Sequence, residues 1–275
     1  MRRATRSGRH SVAPRSADRA FCAALAAAFA AALWATLALH ASMDAMGGTP
    51  MAGGWTLSAA WGGSCGWRPG RAFGEFVGMW AAMTATMMLP VLAPELWRYR
   101  RRMGASGDAR AGWRVVVAGA GYLGVWLVLG AMVFPVGAGL AAAAARLPAL
   151  AAAMPTAAGA VMLAAGALQF SGWKRRRLAC CRHMAAADDD GPRAGVGAAW
   201  LYGLRAGVRC AACCGNLMGA AVAAGMMDLR VMTIVTAAIA AERLAPGGVC
   251  LARVVGGVAL GAGAVMVVRA VAALA

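Results

Sequence analysis

Cys210, Cys213 and Cys214 place three thiols within five residues at the head of the apolar stretch 210–227. On a helix the spacings i, i+3 and i+4 bring all three onto one face, and Met218 extends that face by a turn beyond Cys214. Thiolate and thioether are soft donors, so this pattern suits a soft metal ion or a thiol exchange site. The plain alternative is packing, because Cys and Met are both adaptable apolar fillers.

Other sulfur atoms recur along the chain. Met79, Met83 and Met87 stand at i, i+4 and i+8, with Met88 beside them and Pro90 after them. Cys180 and Cys181 follow the basic run Lys174-Arg175-Arg176-Arg177. A ligand set of Cys and Met favours Cu(I). Zinc is the nearer rival, but His183 is the only imidazole on the same side, so zinc would depend on Cys alone. A disulfide between the adjacent Cys213 and Cys214 would be strained, which weakens a redox reading. The chain has 3 His and no acidic pair inside a predicted span, so a hydrolase is poorly supported and no catalytic residue is assigned.

These residues must be positioned by membrane helices. Only 13% of the 275 residues are charged, about half the share of a soluble domain. The apolar residues gather in blocks of about 20, the length that crosses a bilayer. Spans are expected at 20–41, 73–93, 115–138, 149–170, 210–227 and 249–272. The shorter segment 229–243 either crosses or folds back on 210–227 as a helical hairpin. The fold class is therefore an all-α polytopic bundle of about seven spans. It forms one domain, 20–275, behind a basic tail, 1–19. Residues 43–71, rich in Gly, Trp and Met, are expected to form a loose interfacial loop, and 171–209 a cytoplasmic loop.

A formal net charge of +17 could suggest nucleic acid, but the basic residues sit in short loops between spans. With the N-terminus inside, 22 of the 27 Lys and Arg fall in inner segments and five outside, as the positive-inside rule requires. The C-terminus is then outside. Arg outnumbers Lys almost completely and Ala and Gly abound, as in a GC-rich bacterial genome, so the expected location is a bacterial inner membrane. Seven of the 8 Cys lie at or near the cytoplasmic side, where thiols stay reduced, and Cys65 stands alone outside. A disulfide framework is not expected.

Several motifs occur together in order: Trp80-x-x-Met83-x-x-x-Met87-Met88-Leu89-Pro90, Gly121-Tyr122-Leu123-x-x-Trp126, and Gln169-x4-Lys174 followed by Cys181-Arg182. The last are Gly203-x3-Gly207-x2-Cys210-x2-Cys213-Cys214-x2-Leu217-Met218, Gly225-x-Met227 and Glu242-Arg243. Over roughly residues 73–273 the chain resembles the DUF2182 family, predicted metal-binding integral membrane proteins of bacteria. The resemblance implies metal binding and no reaction. The family's Cys-Leu-x-x-Cys-Arg loop reads Arg177-Leu178-Ala179-Cys180-Cys181-Arg182 here, so Cys180 would have to stand in for the missing thiol. A family Trp after the paired Cys is Gly215.

The leading expectation is a membrane carrier, chaperone or transport subunit that binds about one Cu(I). Its ligands would come from Cys210, Cys213, Cys214 and Met218, with Met83, Met87, Met88, Cys181 and Cys180 as further candidates, and Arg209 would favour the thiolates. Spans 73–93 and 210–227 are expected to be neighbours, with the Met stripe facing the thiols. The lipid bilayer, the metal and a membrane or metallochaperone protein are the expected partners. A membrane thiol redox protein and a metal-free structural or assembly subunit are the alternatives.

Overall fold

The computed structural model describes residues 13–52, 55–58, 61, 69–103, 109–187, 195–225 and 228–273. They form α1 (Ala13–Met46), a hairpin of β1 (Gly48–Met51) and β2 (Trp55–Ser58), α2 (Pro69–Arg102), α3 (Ala109–Arg146) and α4 (Pro148–Gln169). The chain continues through α5 (Gly172–Ala187), α6 (Val196–Gly225), α7 (Leu229–Leu244) and α8 (Gly248–Ala272). Six of these helices, α1 to α4, α6 and α8, are long and apolar enough to cross a membrane.

Polarity is distributed as lipid demands. Val128, Met132 and Val136 on α3 and Val254, Val258, Val265 and Val268 on α8 are exposed. Glu95, Gln169, Lys174 and Glu242 are buried. Apolar surface outward and charge inward is the arrangement of a chain whose solvent is hydrocarbon.

With water absent, close packing must hold the bundle, and small residues permit it. A Cβ on Gly203 would collide with the Ala118 carbonyl of α3. One on Gly207 would lie 2.8 Å from the Tyr122 carbonyl, and one on Gly121 would lie 2.6 Å from the Trp200 carbonyl. The Gly203-x3-Gly207 spacing therefore presses α6 onto α3. Gly159 and Gly166 of α4 meet Gly263 and Gly256 of α8 in the same way.

The helix α7 has 16 residues, short of the ~20 that a full crossing takes. It folds back on α6, in keeping with the hairpin reading. Gly225 turns the chain at φ +99°, the Asp228 N–H donates to the Gly225 carbonyl at 2.9 Å, and the Asp228 carboxylate caps α7 by accepting from the Arg230 N–H at 2.7 Å. Met227 lies outside the described residues.

Two loops expected from the sequence contain regular structure. Within 43–71 the strands pair antiparallel, Gly48 opposite Ser58 and Met51 opposite Trp55. The Trp55 indole N–H donates to the Ala151 carbonyl at 2.8 Å, pinning the hairpin to the start of α4. Within 171–209 the basic run opens α5, whose polar sequence hides its helix from hydropathy. The helix α1 begins inside the expected tail and lies on the bundle's edge, bonded to α2 through Thr36 and Thr86 hydroxyls 3.1 Å apart.

Candidate metal centre

The close approach of α3 and α6 sets the site. It carries the Tyr122 hydroxyl to Cys210, where it donates to Sγ at 2.9 Å. One turn on, Cys210 Sγ lies 4.0 Å from Cys214 Sγ. The thiol of Cys213 contacts Cys214 on one side and Cys181 of α5 on the other. Cys181 in turn donates to the Arg209 carbonyl at 3.3 Å. Tyr122, Cys210, Cys214, Cys213 and Cys181 thus form a continuous string, and all four sulfurs are buried. Hydrogen bonding to Cys213, reinforced by burial, pushes the Cys181 thiol upward.

Among the described residues no three His, Cys, Asp or Glu side chains surround a common point. A string of thiols offers pairs instead. The Cys210–Cys214 separation of 4.0 Å is close to the roughly 4.6 Å that two collinear metal–sulfur bonds of about 2.3 Å would span.

Buried charge surrounds the string. Lys174, at the start of α5, bonds the Cys213 carbonyl at 2.9 Å and the Glu242 carboxylate at 2.7 Å. Gln169, at the end of α4, donates to the same carboxylate at 2.8 Å. Arg243 lies 3.6 Å from Glu95 of α2, and Arg98 lies at the same distance from that oxygen. The Arg243 guanidinium also interacts electrostatically with Cys210, Cys214, Tyr122 and Cys181. Its Nη1 is buried, and among the described residues nothing accepts from it. Arg243 and Lys174 are buried cations acting on the thiols, and the Arg209 backbone carbonyl accepts from Cys181.

The methionines divide. Met83, Met87 and Met218 line one small cavity together with Met232 of α7. Met88 is fully buried but is not among the residues lining that cavity. The backbones of α2 and α6 make no extended contact, and α3 is the main neighbour of both. Met side chains of both helices nevertheless line the same cavity. Cys180 is exposed and takes no part in the string, whereas its neighbour Cys181 is inside. Cys22 and Cys250 are exposed too, and Cys65 lies outside the described residues.

Sequence reasoning did not place Arg243, Lys174 or Tyr122 in this site, although each stands in a quoted motif. The signal was a pair of ionisable residues, Glu242-Arg243, inside an otherwise apolar segment, because such residues within a membrane mark function by default.

Fold and site together define a polytopic helical membrane protein with a buried thiol and charge cluster. Over residues 77–266 the chain matches the family described as PpoB2, copper chaperone, and it belongs to that family. No curated protein and no solved structure gives a significant match.

Proposed function

We propose that the chain is a membrane copper carrier that holds Cu(I) between buried thiolates and passes it along the sulfur string. Family membership supports copper handling in general. The observation that carries the ligand assignment is the Cys210–Cys214 pair, buried with its sulfurs 4.0 Å apart.

Charge balance supports the same reading. Lys174 and Arg243 offset Glu242 and Glu95, and Arg98, about half exposed, adds a further positive charge at Glu95. A cuprous ion between two thiolates carries one net negative charge, so the surroundings suit the loaded pair. Two-coordinate thiolate ligation is natural for Cu(I) and poor for Zn²⁺, which takes four ligands. A third thiol, Cys213, gives the ion a neighbouring pair to move to, with Cys181 beyond. Met218, Met83, Met87 and Met88 offer weaker thioether donors apart from the thiol pair, which holds the ion without them, and the exposed Cys180 would reach an exchange partner such as a metallochaperone. Kinship with the DUF2182 proteins rests on the motifs quoted above. The 22-to-5 distribution of basic residues supports a bacterial inner membrane setting, N-terminus inside and C-terminus outside.

The test is an anaerobic competition titration of detergent-purified protein against a colorimetric Cu(I) chelator. The wild type retains copper where a Cys210→Ser/Cys214→Ser variant surrenders it, because hydroxyls are poor partners for a soft ion. Equal retention by the two proteins sinks the assignment.

A further inference from the structure

Met83 and Met87 of α2, Met218 of α6 and Met232 of α7 line one cavity, walled also by Trp80, Thr84, Ala221 and Val222. Four methionines from three helices line it. Met83 and Met87 stand one turn apart, and Met218 stands one turn beyond Cys214 on α6, a rise of about 6 Å. Met232 arrives because Gly225 and the Asp228 cap fold α7 back along α6. Trp80 is held by its indole N–H, which donates to the Trp126 carbonyl at 2.8 Å, and its ring stacks on Phe76 at 5.9 Å. The cavity has room for about one atom-sized guest.

We propose that this cavity is a second Cu(I) station, formed by thioethers alone and distinct from the thiol pair. The inference rests on the copper reading above and adds a stop to its path. Thioether sulfur needs no deprotonation and binds soft monovalent copper, whereas divalent hard ions find no partner there. No buried carboxylate lines the cavity, so an ion there keeps its full charge in a low-dielectric site. The station therefore binds more weakly than the thiolates and suits passage rather than storage. Met218 on α6 connects the two stations along one helix face. A transfer between them forms a sulfur–copper bond as another breaks, with no change in oxidation state.

The test loads purified protein in detergent with Cu(I) alone, anaerobically, at neutral and mildly acidic pH. Wild type takes a tight equivalent that weakens as pH falls, because thiols must lose protons to bind, and a weaker second equivalent that does not. Met83→Leu/Met218→Leu/Met232→Leu, which nearly conserves volume, loses the second and keeps the first. Cys210→Ser/Cys213→Ser/Cys214→Ser loses the first and keeps the second. An unchanged second equivalent in the Met variant, or a wild type that takes a single equivalent, overturns the thioether station. An unchanged first equivalent in the Cys variant overturns instead the thiolate reading on which it rests. X-ray absorption of doubly loaded wild type provides a check that does not depend on variants folding. The second copper must add only sulfur neighbours, and nitrogen or oxygen neighbours refute the station.

Discussion

The Tyr122 hydroxyl donates to Cys210 Sγ at 2.9 Å, across an interface that two glycines of α6 allow to close. A tyrosine aimed at a thiol stabilises the thiolate by donating to its charged form. Tyr122→Phe removes that donor and keeps the ring. A hydrogen bond to a charged group contributes about 1.5–3 kcal/mol, so Cu(I) affinity should fall at least tenfold while thermal stability changes little. Chelator competition and a melting curve on the same sample separate the two effects.

Gly203→Leu should be far more damaging. The substituted side chain has to displace the Ala118 backbone rather than a movable side chain. We expect loss of folded protein, or a melting temperature many degrees lower in detergent. Normal accumulation and normal melting of this variant would contradict the α3–α6 packing.

The Lys174–Glu242 pair, at 2.7 Å and almost fully buried, predicts strong coupling. Removing one partner leaves an uncompensated buried charge, typically costing about 3–5 kcal/mol, whereas apolar replacement of both is much milder. Lys174→Met should therefore destabilise the protein more than Lys174→Met/Glu242→Leu does. Thermal unfolding of the single and double variants reads this directly, and additive losses would argue against the pair.

Topology gives another expectation. Reporter fusions within 104–108 and 188–194 should report cytoplasm, and fusions within 62–68 the opposite side. The buried contacts agree with one common side for the ends of α2, α4 and α7 and the start of α5, because Glu95, Gln169, Glu242, Arg243 and Lys174 meet there.

Hydropathy and spacing made the long helices legible, since a block of about 20 apolar residues has few other fates. The thiol face on α6 was equally legible from i, i+3, i+4 geometry. The helix α5 was not, because its basic opening carries no apolar periodicity and it docks through Lys174, Leu178 and Cys181 instead. Met232 escaped notice because its place depends on the turn that folds α7 back on α6. Arg243 escaped for a related reason. It is three residues from the nearest turn signal, Pro246, and reads as a loop charge until the fold brings it to the thiols. The expected triad became a string because Cys213 turns toward Cys181 while Cys210 and Cys214 face each other.

The most direct test of the central claim is copper K-edge X-ray absorption of the protein loaded with one equivalent of Cu(I). The account predicts a first shell of two sulfur atoms at short, near-linear distance, lost in Cys210→Ser/Cys214→Ser. A first shell of nitrogen or oxygen, or a sulfur shell that survives this double substitution, would contradict it.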